Sequence, residues 1–168
     1  MIAHSPPTIR PATAADAGTI TRIYIESWNA SFGPLLSQAD RTVTPELTER
    51  WRRDLALGVP HRWWVAERAG GIVGFVGIGP SRDPVDPQLG EVDTIAVDTP
   101  HWRTGIGRML MSIALRHLVA DGYREAILWT VEGYERGVAF YEAMGWARDG
   151  GTRDNGRQVR FRLDLSSI

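Results

Sequence analysis

The sequence predicts a single α/β domain built on a mixed sheet. Three observations carry that prediction. Apolar residues recur with a period of about 3.6 in some segments and about 2 in others, in the order β-α-α-β-β-β-α-β-α-β-β. The 168 residues suffice for one well-buried core and are too few for two comfortable ones. A composition of 43 % apolar and 23 % charged residues is that of an ordinary globular protein. No repeat, low-complexity tract or linker interrupts the chain, so one domain is expected over 1–168, its core from about 8 to 165.

Each element has a local reason. After a Pro-rich lead, Thr8 to Pro11 reads as a short edge strand. Asp16 stands at an N-cap position, and Ile20, Ile23, Tyr24 and Trp28 follow at helical spacing until Gly33-Pro34. Thr44-Pro45-Glu46 opens a second helix, with proline at its first position and an acid in its first turn. Leu47, Trp51 and Leu55 line one face of it, and Gly58-Val59-Pro60 stops it. Arg62 to Arg68, the turn Ala69-Gly70-Gly71 and Ile72 to Ile78 form a hairpin. Gly79 to Gly90, carrying Pro80, Pro84 and Pro87, is expected to be a loop, and Glu91 to Val97 the next strand. Ile106, Met109, Leu110, Ile113, Ala114 and Leu118 make one apolar stripe on a helix over 106–120, closed by Asp121-Gly122. Ala126 to Val131 is a buried strand. Val138, Tyr141 and Met144 mark a short helix ending at Gly145, and Trp146 to Arg148 and Gln158 to Leu165 complete the sheet.

Several functions are excluded or disfavoured by composition. The chain has no cysteine, which removes disulfides, thiolate metal sites and a thioester on the protein itself. It has no lysine either, since all 19 basic residues are arginine, which excludes a Walker-type phosphate loop and a Schiff-base lysine. A net charge of −1 gives no reason to expect a nucleic-acid partner. No apolar run approaches the roughly 20 residues that span a bilayer, and Met1 to Arg10 lacks the apolar core of a secretory signal, so a cytoplasmic protein without a membrane partner is expected. His61, His101 and His117 show no metal-ligand spacing, and no metal is expected.

The turn Arg103-Thr104-Gly105-Ile106-Gly107-Arg108 lies between a strand and a strongly amphipathic helix. A helix start leaves about four backbone N–H groups unpaired at the positive end of the dipole. Small residues there let a diphosphate approach the backbone, and Arg103 and Arg108 add permanent charge. An ordinary Gly-rich turn without a ligand is the competing reading. A dinucleotide-binding fingerprint fits poorly, because its third glycine would fall at Leu110 and its acid would have to end the next strand, whereas Glu125 begins one.

The longer stretch is more specific. Glu91-Val-Asp-Thr-Ile-Ala-Val-Asp-Thr-Pro followed by His101-Trp-Arg-Thr-Gly-Ile-Gly-Arg-Met-Leu resembles the CoA-binding motif of the GNAT N-acetyltransferase superfamily. Phe140-Tyr141-Glu142-Ala143-Met144-Gly145-Trp146 is similar to its second landmark, and Ile9-Arg10-Pro11-Ala12-Thr13 through Asp16-Ala17 to its opening. The resemblance implies an α+β domain with a mostly antiparallel mixed sheet of about seven strands and about four helices, splayed where an acyl-CoA binds. It also implies transfer of an acetyl group from acetyl-CoA to a primary amine of a small molecule or peptide, with a homodimer among the assemblies it allows.

Residue by residue, Ile95, Ala96 and Val97 would pair with the pantetheine arm, and one of their N–H groups would polarise the thioester carbonyl. Arg103, Thr104, Gly105, Ile106, Gly107 and Arg108 would hold the diphosphate. Tyr141 matches the general acid; a phenol of pKa about 10 can protonate a thiolate of pKa about 8.5 only with help from positioning. Glu91 matches the general base of some members, acting through water. Strand alternation places Glu91, Asp93 and Ile95 on one face, so Asp93 could orient the substrate. Trp28 and Phe32 are candidates for the acceptor site, as are Trp51, Glu26, Asp40, Glu46 and Glu49, with core aromatics and exposed helix faces as the competing reading. If several of these acids face the cleft, a cationic amine is favoured over an acidic acceptor. Two positions depart from the family pattern: Trp102 stands where Gln or Arg is usual, and Tyr134 where many members have an asparagine. With no cysteine and no G-x-S-x-G elbow, direct attack in a ternary complex is expected. The alternative is a domain of the same fold that holds acyl-CoA as a sensor or assembly element without turnover.

Overall fold

The computed structural model describes residues 5–168, so the first four residues of the Met1 to Arg10 lead, where no secretory signal is expected, lie outside the described residues. Seven strands form one sheet: β1 (Thr8–Pro11), β2 (Arg62–Arg68), β3 (Gly71–Arg82), β4 (Val85–Val97), β5 (Glu125–Val131), β6 (Ala147–Arg153) and β7 (Gln158–Asp164). Their order is β1-β2-β3-β4-β5-β7-β6. Every neighbouring pair is antiparallel except β4 and β5. The helices are α1 (Ala17–Ser31), α2 (Gly33–Leu36), α3 (Pro45–Leu55), α4 (Ile106–Ala120) and α5 (Glu135–Ala143).

Local signals explain most boundaries. The Thr44 hydroxyl accepts from the Leu47 N–H at 3.1 Å and Pro45 opens α3, as the sequence leads one to expect. Asp16 acts differently from a simple N-cap. It closes a one-turn 3-10 segment before α1, accepting from the Thr13 N–H at 2.8 Å and from two Arg10 nitrogens at 2.9 Å. Gly33-Pro34 ends α1 and at once opens the single turn of α2, because a proline in a first turn loses no helix hydrogen bond. That turn is the helix beyond the four expected.

The expected loop over 79–90 is a hairpin arm. β3 runs on to Arg82 and β4 starts at Val85, pairing Pro80 with Gly90 and Arg82 with Val85. β2 pairs with β3 only as far as Ile78, and β5 meets β4 only at Gly90 and Glu91. The arm is therefore a two-stranded ribbon with free outer edges, where proline costs no ladder bond.

Two cores cover the sheet. On one face Leu110, Met111, Ala114 and Leu118 of α4 are fully buried against Val76, Leu128 and Phe161. Each such aliphatic side chain contributes about 1.5–3 kcal/mol by leaving water. On the other face α1 and α3 pack Ile20, Ile23 and Trp51 on Val65 and Phe75.

Candidate active site between two parting strands

The site arises where the sheet opens. β4 and β5 are paired at Gly90–Ala126 and Glu91–Ile127 and nowhere beyond. From Val92 onward β4 keeps β3 on one side and has no strand on the other, and Leu128–Val131 of β5 are likewise free on that side. The splay that the family resemblance implied is thus visible in the register. Two cavities meet in the opening, of about 870 Å³ and about 390 Å³. Tyr24, Trp28, Phe32, Thr94, Ile95 and Tyr141 line both.

The larger cavity leads to the turn before α4. Gly105 has φ +87°, a left-handed conformation that glycine adopts without strain, and it caps α4 from outside. The Met109 N–H donates to the Gly105 carbonyl at 3.1 Å, leaving the N–H groups of Ile106, Gly107 and Arg108 without helical acceptors. A Cβ on Gly107 would meet nothing closer than Phe140 at 3.6 Å, so the protein's own packing does not require glycine there. Arg103, Arg108 and Arg136 line this cavity, and no carboxylate pairs with any of them among the described residues. Unpaired helix-start amides, three guanidinium groups without a carboxylate partner among the described residues and an uncrowded glycine fit a diphosphate. The free edge of β4 offers backbone groups to an amide-bearing arm.

The expected donor-site residues divide. Ile95, Ala96, Val97, Arg103, Gly105, Gly107 and Arg108 line the cavity. Ile106 is 1 % exposed and its side chain packs in the core, its N–H remaining among the unpaired amides of the turn, while the Thr104 hydroxyl is turned to the His101 carbonyl at 2.6 Å. Trp102, one of the two departures, donates its indole N–H to the Val97 carbonyl at 2.7 Å and carries the Arg136 guanidinium 3.4 Å above its ring. Tyr134, the other, packs edge-on against Phe32 and meets the Ser31 hydroxyl at 3.2 Å, joining α5 to α1 across the cavity.

Around the chemistry, the acids are rearranged by a β-bulge. Gly77 pairs with Thr94 but Ile78 pairs with Val92, so Asp93 is an extra residue on β4. The expected alternation fails as a result: Val92 and Ile95 both pack into the α4 core, and Glu91, Asp93 and Ile95 do not share a face. Asp93 lines the smaller cavity, 3.0 Å from the Arg82 guanidinium, whereas Glu91 lines neither cavity and accepts from the Arg82 backbone N–H at 2.8 Å. Burial raises both carboxyl pKa values, and Asp93 adds to the rise at Glu91. Tyr141 is 8 % exposed, and burial raises its phenol above the ordinary value.

Trp28 and Phe32 reach both cavities, but Trp51 is core, its ring 5.2 Å from Trp63 and 5.3 Å from Phe75. Glu26, Asp40, Glu46 and Glu49 line neither cavity; Glu26 pairs with Arg22 and Glu49 with Arg52 on the helix surfaces. The acids that would have favoured a cationic acceptor are therefore outside the cleft. No sequence signal marks Arg136, Arg41 or Thr130 as cavity residues, and Phe140, inside the second landmark, is not singled out for the site. Among the described residues no cluster of three His, Asp or Glu side chains could hold a metal, and no helix is long and apolar enough to cross a membrane.

Comparison with known proteins agrees with this geometry. The acetyltransferase (GNAT) family model matches residues 20–146. Phosphinothricin N-acetyltransferase of Streptomyces viridochromogenes is 31 % identical over 157 residues, covering 90 % of this chain and 80 % of that protein. Mycothiol acetyltransferase of Thermobispora bispora is 34 % identical over 91 residues, which is 53 % of this chain, and the chain spans only 31 % of that relative's length. The PaiA N-acetyltransferase of Thermoplasma acidophilum, solved with coenzyme A, shares the fold at a TM-score of 0.73 and 16 % identity, over 95 % of this chain and 99 % of that one. With an opened β4–β5 pair, a glycine turn at the start of α4, and a family match that spans both, this chain belongs to the GNAT acetyltransferase family.

Proposed function

We propose that the protein transfers an acetyl group from acetyl-CoA to the primary amine of a small molecule or peptide, by direct attack within a ternary complex. One observation carries this reading: the strands part after Glu91 and Ile127, and two cavities meet beside Tyr141 in the gap. The larger cavity is suited to the CoA donor and the smaller to the acceptor. The amine nitrogen bonds to the thioester carbonyl carbon, and the carbon–sulfur bond breaks. A free N–H on the β4 edge at Ile95–Val97 stabilises charge on the carbonyl oxygen. The ammonium must lose a proton before attack. Asp93, at the acceptor cavity and with its pKa raised by burial, is the better placed of the two carboxylates to accept it through water. Tyr141, held neutral by burial, gives its phenol proton to the departing sulfur, which ends as a thiol, and the proton that the attacking nitrogen sheds as the amide forms restores the phenol.

Release of free CoA thiol against a panel of amines tests this. Amine-dependent release is expected. CoA binding without release for any amine would replace the proposal with a non-catalytic acyl-CoA-binding domain.

A further inference from the structure

Asp93 does not stand alone in the wall of the smaller cavity. We propose that Arg82 is a positioning residue for the reaction: from behind that wall it keeps the Asp93 carboxylate ionised and fixed where it can take the proton of the acceptor amine. The inference rests on the acetyl-transfer reading and on the role given there to Asp93. In that step an ammonium N–H bond breaks, the proton passes through water to an Asp93 oxygen, and it leaves from there to bulk solvent.

Arg82 is the last residue of β3, beyond Ile78, where the pairing with β2 stops. It lines neither cavity. Its guanidinium lies 3.0 Å from an Asp93 oxygen, and its backbone N–H donates to Glu91 at 2.8 Å, so one residue of the ribbon engages both carboxyl groups. The same terminal nitrogen, Nη2, lies 3.4 Å from Nδ1 of His61, which braces the guanidinium from its other side. His61 reaches it because position 79 is glycine: a Cβ there would lie 2.6 Å from that ring nitrogen. The ribbon tip is itself held across the opened strands. The Trp129 indole N–H of β5 donates to the Asp83 carbonyl at 3.0 Å, and the Ser81 hydroxyl to the Pro84 carbonyl at 2.5 Å. Arg82 is thus tied to β4 directly and to β5 through its neighbour.

The charges around Asp93 explain why it needs this partner. Burial raises its pKa, Arg82 opposes the rise, Asp54 of α3 adds to it, and His61 lowers it. Arg41, Arg153, Asp154 and Arg157 line the same cavity, and Glu91 precedes Asp93 by two residues on β4. Among the described residues Arg82 makes the one ion pair with Asp93. Burial without that counter-charge favours the neutral acid, and a neutral acid takes no proton from an ammonium. A partly buried carboxylate held by a guanidinium is instead ionised and still more basic than an exposed one.

Asp93 can be titrated directly by NMR in the full chain with aspartate labelled at its carboxyl carbon, its resonance being the one that D93N removes. In R82Q its midpoint should move up by about one pH unit, the low end of an arginine's effect because this guanidinium is partly exposed. R82K should restore at least half of that shift, and calorimetric CoA affinity checks the folding of each variant. Turnover is then followed on whichever amine of the panel gives the fastest thiol release. The pH profile is taken in E91Q, which leaves Asp93 without a coupled acid beside it. The acidic limb of kcat/KM should move to higher pH by about the same unit in E91Q/R82Q. In a D93N background, R82Q should change kcat/KM by less than about twofold, because Arg82 acts through Asp93. An Asp93 midpoint unaltered in R82Q, a limb that does not move, or additive losses in D93N/R82Q overturns the positioning role and leaves acetyl transfer standing. Wild-type turnover in D93N does the same. If no amine is acetylated, it is acetyl transfer that fails. The NMR titration then decides alone: a raised midpoint in R82Q supports the hold of Arg82 on Asp93, and an unaltered one overturns it.

Discussion

Trp102 donates its indole N–H to the Val97 carbonyl at 2.7 Å, tying the last residue of β4 to the turn that opens α4. The residue that departs from the family pattern thus fixes the strand edge and the glycine turn relative to each other. It does so while supporting Arg136 on its other surface. Replacing it by phenylalanine keeps a ring and removes the donor. Trp102→Phe should cost about 1 kcal/mol of that positioning, and CoA should bind about fivefold more weakly by titration calorimetry. Unchanged affinity would show that the turn holds its place without the indole.

Gly107 separates packing from ligand approach. Its Cβ position is free of close protein contacts, so Gly107→Ala should fold with an unchanged Tm within a few degrees. If a diphosphate rests on this amide, Gly107→Glu should weaken CoA binding by at least about 100-fold through bulk and like charge. Wild-type CoA affinity in Gly107→Glu would refute the cradle.

Tyr141 lines both cavities and stays neutral because burial raises its phenol. Tyr141→Phe should lower kcat by about 100-fold or more while changing the CoA Kd little, since only the proton donor is lost. Full turnover in this variant would assign the ring to packing with Phe161, 5.8 Å away.

Glu91 and Asp93 separate by readout. Asp93→Asn should depress kcat/KM more than Glu91→Gln, because only Asp93 reaches the smaller cavity. Glu91 speaks instead through stability. Burial raises its folded pKa, so its stabilising contribution is full below the unfolded value of about 4.3 and is lost as pH rises through the folded value. Glu91→Gln keeps an oxygen for the Arg82 N–H and removes the titration. Its Tm relative to wild type should therefore rise as the pH is raised above the unfolded value of about 4.3. A Tm difference independent of pH would show that Glu91 titrates normally in the fold.

What could be read directly from the sequence was local. Thr44-Pro45 opened α3 where expected, and Gly105-Ile106-Gly107 marked the strand-to-helix turn, because capping and left-handed glycines act over a few residues. The ribbon over 79–90 escaped because its prolines looked like breakers, and only the absence of outer partners makes them tolerable.

The smaller cavity shows the same division more sharply. By itself the sequence determined the order of the strands and of the four longer helices, the glycine turn before α4, and the absence of cysteine. Tertiary structure decided which charged residues face the cleft. A single bulge moved Asp93 out of strand alternation, the α1–α3 acids stayed on outer surfaces, and Arg41, Arg153 and Arg157 converged from segments more than a hundred residues apart. Sequence period is a property of one segment, whereas the electrostatics of a cleft belong to the segments that meet there.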